Sequence, residues 1–213
     1  MDNNDEKLYI DEKLYIKESL RKEEPYSVKK RYTYADYASW DDDKRYELID
    51  GEAYLLSAPS VAHQRISVEL LFQLVKFLEG KPCEVFHAPF DVCLFGLGDD
   101  DENVVQPDLL VICDKSKLSD GKRCNGAPDI AIEILSPSNR NHDILKKFNK
   151  YLRTGVVEYW IVDPDNKTIS VNILKDGEYV ASVYGVTDSG ESAELVPVYI
   201  LEGCEIDIKR VFG

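Results

Sequence analysis

The sequence is short of positive charge, histidine and long apolar runs, and none of its cysteines stand in a close pair; each shortage removes a class of function. Across 213 residues, 26 lysines and arginines face 40 aspartates and glutamates, a formal charge of −14. A surface of that sign does not coat nucleic acid as a whole, so any such contact must be local. The longest unbroken apolar run is Leu109 to Cys113, far below the roughly 20 residues that span a bilayer, and no membrane partner is expected. The opening Met1-Asp2-Asn3-Asn4-Asp5 has neither the basic nor the apolar stretch of a secretory signal, so a cytoplasmic location is expected. The five cysteines, Cys83, Cys93, Cys113, Cys124 and Cys204, form no Cys-x-x-Cys pair. Neither a zinc knuckle nor a disulfide framework is indicated, and reduced, mostly buried thiols are expected. With three histidines (His63, His87, His142) and no Gly-x-Ser-x-Gly elbow, nothing supports a hydrolase triad.

What remains is the balance of an ordinary globular domain: 44% hydrophobic and 31% charged residues. At this length a chain forms one core that hides roughly 70 to 75% of its unfolded surface. Residues 1–30 read as a separate charged extension, helical or disordered, in which the hexapeptide DEKLYI occurs twice in succession. A period of six fits neither helix nor strand, and a docking role is the alternative. Residues 31–213 read as the domain. Thr33 caps a short helix through Trp40, and Tyr46 to Ile49 and Glu52 to Leu56 form a hairpin around Asp50-Gly51. Ile66, Leu70, Leu71, Leu74, Val75 and Leu78 share one face of a helix between Ser60 and Glu79. Two long strands, Glu84 to Phe95 and Val104 to Cys113, follow, then a strand Ile130 to Leu135. The Gly96-Leu97-Gly98 turn between the long strands precedes four acids, which would repel a phosphate. A helix from Asp143 to Thr154 ends at Gly155, and strands Val157 to Val162, Thr168 to Leu174 and Glu178 to Val183 precede a closing strand and short helix. The fold class expected is α/β or α+β, a mixed sheet flanked by helices with additional antiparallel hairpins.

Three acids, Glu47, Asp108 and Glu133, interrupt apolar strands where an uncompensated charge costs several kcal/mol. A structural hydrogen bond explains any one of them; a shared cation explains all three. Asp129 and Glu133 lie on one strand about 13 Å apart, at about 3.3 Å per residue, too far to ligate one ion. Asp108 lies on another strand, and neighbouring strands at about 4.8 Å let it converge with Glu133. Two carboxylates, a backbone carbonyl such as that of Ile134, and waters suit Mg2+ (or Mn2+). Lys147, at the edge of the apolar face of the Asp143 to Thr154 helix, either leans toward this pair or is a solvated helix lysine. Between Arg140 and Arg153, five basic residues (Arg140, Lys146, Lys147, Lys150, Arg153) face one acid, Asp143. Such a window would hold a DNA phosphate backbone or simply face solvent.

An ordered series of short motifs then resembles a known family. Tyr46-Glu47-Leu48-Ile49-Asp50-Gly51-Glu52, Ala58-Pro59-Ser60 with His63, Gln106-Pro107-Asp108-Leu109, and Ala127-Pro128-Asp129 through Glu133-Ile134-Leu135-Ser136-Pro137-Ser138 resemble the Uma-two family of restriction-endonuclease-like proteins. So do Asp143, Lys147, Tyr151, Gly155-Val156, Glu158-Tyr159-Trp160 and Asp163-Pro164. The family is similar to the PD-(D/E)xK nucleases, whose mixed sheet carries magnesium-binding carboxylates. The resemblance implies a restriction-endonuclease-like domain with Asp108 and Glu133 on the metal and Glu47 as an additional acid; His63 matches a family position and either hydrogen-bonds a loop at its helix N-terminus or contacts phosphate or substrate. Two residues beyond Glu133, where the superfamily has lysine, stands Leu135; the family places that lysine on the next helix, where Lys147 matches. The function expected is a metal-dependent DNA endonuclease with Glu47, Asp108, Glu133 and Lys147 as its catalytic set. His63, Arg140, Lys146 and Lys150 are expected to contact the substrate. An inert nuclease-fold binding module is the alternative, and a two-fold homodimer is expected from the symmetry of double-strand cleavage.

Overall fold

Local signals in the chain account for most of the elements in the computed structural model, which describes residues 31–136, 143–185 and 195–213. The expectation for residues 1–30, and for Arg140, lies outside the described residues. Thr33 and Asp36 form a reciprocal capping box on helix α1, Tyr34–Ala38. Strands β1 (Tyr46–Ile49) and β2 (Glu52–Leu55) form the expected hairpin. Both its turn residues are left-handed, with φ of 52° at Asp50 and 75° at Gly51, the backbone that a two-residue type I′ hairpin requires. Ser60 caps helix α2, Val61–Leu78. Helix α3 covers Asp143–Thr154 and ends at Gly155, whose φ of 81° lets the amides of Gly155 and Val156 turn back onto the Tyr151 carbonyl at 3.1 and 3.0 Å.

The two long strands expected between Glu84 and Cys113 are each two strands in different sheets. The first divides into β3 (Glu84–His87) and β4 (Val92–Cys93), the second into β5 (Val104–Val105) and β6 (Leu109–Ile112). The breaks fall at Ala88-Pro89 and Gln106-Pro107, where proline has no amide hydrogen to give the ladder. Strands β7 (Cys124–Asn125), β8 (Ile130–Ile134), β9 (Glu158–Asp163), β10 (Thr168–Lys175), β11 (Glu178–Gly185), β12 (Leu195–Pro197) and β13 (Glu205–Asp207) complete the set, and helix α4 (Ile208–Phe212) closes the chain.

The main sheet has six strands in the order β11-β10-β9-β8-β6-β3, mixed because β8 and β9 run parallel; a five-stranded sheet is ordered β2-β1-β5-β4-β7. Strand parity sends the main sheet's side chains to two cores. Leu109, Val111, Ile130, Ile132, Trp160 and Val162 pack with Ile66, Leu70, Leu74 and Leu78 of α2. Leu110, Ile112, Ala131 and Tyr159 face the other way, onto Tyr151 of α3 and Val92, Leu94 and Val105 of the smaller sheet. The fold is therefore the mixed α+β sheet flanked by helices that the sequence predicts. No helix among the described residues is long and apolar enough to cross a membrane.

The thiol expectation needs a correction. Cys83 and Cys113 form a disulfide across 30 residues of sequence. The β3/β6 register opposes Glu84 to Ile112, so the residues one step outward, Cys83 and Cys113, face each other; sequence spacing alone conceals this. Cys93, Cys124 and Cys204 are buried free thiols, and burial pushes the first two up to about 12.

Candidate active site

Glu133 follows the parity of Ala131, so it points from the main sheet toward α3 and the smaller sheet. Lys147 and Tyr151 are one helical turn apart on α3 and reach it together. The Lys147 Nζ lies 3.0 Å from Glu133 Oε1, and the Tyr151 hydroxyl donates to the same oxygen at 2.7 Å. From the smaller sheet, Glu47 on β1 places its Oε1 2.7 Å from Lys147 Nζ, and the Gln106 amide donates to that Oε1 at 2.8 Å. Lys147 thus bridges two carboxylates carried by different sheets. Its residue is only 7% exposed, which removes the solvated-lysine alternative.

Asp108 stands one residue before β6. The register opposes Leu109 to Ile132, so Asp108 and Glu133 occupy the next cross-strand position, as the spacing argument requires. The Ile134 amide donates to Asp108 Oδ2 at 2.8 Å. His63, in the first turn of α2, puts its Nε2 3.1 Å from the same oxygen, and its buried Nδ1 has no hydrogen-bond partner among the described residues. Ile134, expected as a carbonyl ligand, is thus engaged here through its amide. Asp129 sits at the far end of β8, accepting from the Cys113 amide at 2.8 Å.

Glu47, His63, Asp108, Glu133, Ile134 and Lys147 all line one cleft of about 540 Å³, which Arg45 and Gln106 also line. Burial pushes the Glu133 carboxyl up, Lys147 pulls it down, and the nearby Glu47 and Asp108 push it up again, to about 7. Burial alone would lower Lys147, but Glu133 and Glu47 outweigh it, so its pKa is raised and the ammonium is held. Burial and then Glu133 raise Tyr151, which keeps its proton as a donor. For His63 burial lowers and the Asp108 hydrogen bond and charge raise; the net shift is upward.

Two expected substrate contacts are not brought to the cleft. Lys150 turns to Asp50 in the β1–β2 turn and is buried there, and Lys146 turns to the Tyr54 hydroxyl and ring. Both belong to a separate pocket with Asp50, Tyr54 and Arg153. The helix carries its basic residues around more than one face, and only Lys147 shares the face of Tyr151. Two participants stood in the motifs without a role assigned to them: Tyr151, although its four-residue spacing from Lys147 was visible, and Gln106, whose role is exercised through a backbone amide that no side-chain pattern reports.

As to a metal, the described residues contain no ready cage of three or more His, Cys, Asp or Glu side chains. Among them, the contacts of Asp108 fall on Oδ2 and those of Glu133 on Oε1. Oδ1 and Oε2 therefore stay available, and a hard cation taking those two oxygens plus waters or carbonyls fits the donor set.

A solved structure from Anabaena variabilis, described as a "putative nuclease belonging to DUF820", superposes with a TM-score of 0.66, covering 84% of this chain and 97% of that one at 22% identity. That likeness establishes the fold. An uncharacterized protein of Synechocystis, slr1290, is 23% identical over 158 residues, 72% of this chain and 80% of its own length. The model of the Uma2 family, described as "Putative restriction endonuclease", matches residues 34–208. With the match spanning the whole two-sheet body and every cleft residue named above, the chain belongs to the Uma2 family of restriction-endonuclease-like proteins.

Proposed function

We propose that the cleft hydrolyses phosphodiester bonds of DNA, and that Asp108 and Glu133 would hold Mg2+ or Mn2+ there. The observation that carries this reading is Lys147: a lysine supplied by a helix, not by the strand of Glu133, has its ammonium 3.0 Å from that acid. When bound, the cation would polarise a phosphoryl oxygen and lower the pKa of a water. The residues of the chain do the rest. Ile134 and His63 fix the Asp108 carboxylate through Oδ2, and Tyr151 and Lys147 fix Glu133 through Oε1, so both acids present their second oxygen in a set orientation. Lys147 keeps its proton and lays positive charge beside the place where negative charge develops on the phosphate. Glu47, itself held by the Gln106 amide, keeps the ammonium from swinging away. With Lys146 and Lys150 engaged elsewhere, Arg45 on the cleft wall takes over contact with the adjoining phosphate.

The test is conversion of supercoiled plasmid to nicked or linear form in Mg2+ and in Mn2+, beside Asp108→Asn and Glu133→Gln proteins of unchanged fold. Metal-dependent conversion by the parent protein, lost in both variants, is the expected result. Conversion that survives in one of the variants removes the acid replaced there from the chemistry.

One observation favours a second reading, a binding module without turnover. In a chain of charge −14, two of the cations expected to grip DNA are engaged with Asp50 and Tyr54. Such a module would bind DNA with a shallow salt dependence and leave plasmid intact in either metal.

A further inference from the structure

Helix α2 has two apolar faces, and only one is accounted for by the core. Ile66, Leu70, Leu74 and Leu78 are buried against the main sheet. On the opposite side Val61, Val68, Phe72 and Val75 are 68%, 62%, 50% and 51% exposed. Their spacing of seven, four and three residues is that of a heptad seam running nearly the full helix, about 27 Å. Isolated exposed apolar residues are ordinary; four in one stripe mark a contact surface.

The charges around the seam select its occupant. Arg65 lies seven residues before Phe72 and Glu79 seven after it; Val68 lies four before and Val75 three after; Glu69 lies three before and Lys76 four after. We infer that this face pairs with the same face of a second copy of the chain, antiparallel, about a two-fold axis at Phe72. In that register Phe72 meets the partner's Phe72, Val68 meets the partner's Val75 and Arg65 meets the partner's Glu79. A parallel pairing instead sets Arg65 against the partner's Arg65 and Glu79 against the partner's Glu79, which is unfavourable at close range. Within one chain, Arg210 of α4 pairs with Glu69 at 2.9 Å and lies over the Phe72 ring, so its guanidinium forms one wall of the seam. An isologous contact of this kind closes on itself and stops at a dimer. Val68 also lines the catalytic cleft, so pairing would bring the partner's helix to the rim of each cleft. The inference does not depend on the nuclease reading.

Sedimentation velocity of the full chain over a hundredfold concentration range tests it, alongside disulfide trapping of single-cysteine replacements on the seam. A concentration-dependent dimer is expected, monomeric in Phe72→Glu, weakened at least tenfold in Arg65→Glu and recovered in the charge swap Arg65→Glu/Glu79→Arg. All of these positions are exposed, and an unchanged circular dichroism spectrum verifies the fold of each variant. Under mild oxidation Phe72→Cys should cross-link to dimer. Val61→Cys should not, since an antiparallel register sets the two Val61 positions about 33 Å apart along the helix axis. A monomer at every concentration overturns the inference and leaves the face to residues 1–30 or a different protein. A dimer that survives Phe72→Glu, or equal cross-linking at both positions, overturns it as well.

Discussion

Replacing Lys147 by methionine isolates the electrostatics of the site, because the substitution nearly conserves volume and removes only the charge. Glu47 and Glu133 each touch Nζ, at 2.7 and 3.0 Å, so their Oε1 atoms lie within about 6 Å of each other. With the ammonium gone, two unit negative charges at about 6 Å repel by about 3 kcal/mol at an effective dielectric of about 20. Both carboxylates also lose a charge-assisted contact while remaining buried, although the Gln106 amide and the Tyr151 hydroxyl still donate to them. Breaking a buried ion pair from one side costs about 3–5 kcal/mol, and the deficit at pH 8 should fall in that range, a melting temperature roughly 6–20 °C lower for a domain of this size. The sign of its pH dependence follows from which state holds more protons. Glu133 is already pushed up to about 7; in the variant it rises further, so the folded state binds more protons than the unfolded state above the ordinary glutamate range. Stability then falls as pH rises. Going from pH 8 to pH 5 should therefore return about 1 kcal/mol to the variant relative to the parent, whose own Glu133 takes up its proton over part of the same range. Urea denaturation of both proteins, without divalent metal, reads this directly, and Lys147→Met/Glu133→Gln should be more stable at pH 8 than Lys147→Met alone. A deficit under 1 kcal/mol at pH 8, or one of equal size at pH 5, would refute the bridge.

Tyr151→Phe removes one donor to Glu133 without opening a cavity; it should cost about 1.5–3 kcal/mol and, since that hydrogen bond lowers the Glu133 carboxyl, shift the acid limb of the cleavage profile to higher pH. Superimposable pH–rate profiles would show that Tyr151 does not orient the acid. Glu158 accepts from Trp160 Nε1 at 2.7 Å and from the Tyr199 and Ile200 amides at 3.2 and 3.0 Å, fastening the segment that leads to β13. A glutamine has one acceptor oxygen for these three donors, so Glu158→Gln should cost about 1–3 kcal/mol. Burial raises Glu158 more than these hydrogen bonds lower it, so the parent loses stability as pH rises through the raised value. The gap between parent and Glu158→Gln in thermal denaturation should narrow from pH 4 to pH 8, and a widening gap would contradict the assignment.

The elements most legible in the sequence are those whose stabilising groups are close along the chain. The Thr33 cap, the Asp50-Gly51 hairpin, the Ser60 cap and the Gly155 stop are all decided within one turn of backbone, and each stands where the residue types put it. What was not legible depends on partners far away. Glu84 to Phe95 has the composition of one strand, yet β3 joins the main sheet and β4 the smaller one, because Pro89 breaks the ladder and each half finds a different neighbour. The Cys83–Cys113 bond likewise exists only once the β3/β6 register is set.

The site divides along the same line. Asp108 and Glu133 could be paired from strand spacing because cross-strand geometry is nearly constant. A lysine's role depends on which way one long side chain turns. Lys146, Lys147 and Lys150 are equivalent in charge and lie within five residues, yet they meet Tyr54, the two cleft acids and Asp50 respectively. The 100° step of the helix separates them: Lys147 shares its face with Tyr151, which packs on Tyr159 of the main sheet, whereas Lys146 and Lys150 share a face turned to the β1–β2 hairpin. Helical phase relative to the anchored aromatic, not charge density along the chain, therefore decides which lysine reaches the acids. The same rule predicts that moving the lysine by one position, Lys147→Met with Phe148→Lys, leaves the acids unbridged although the local charge is unchanged.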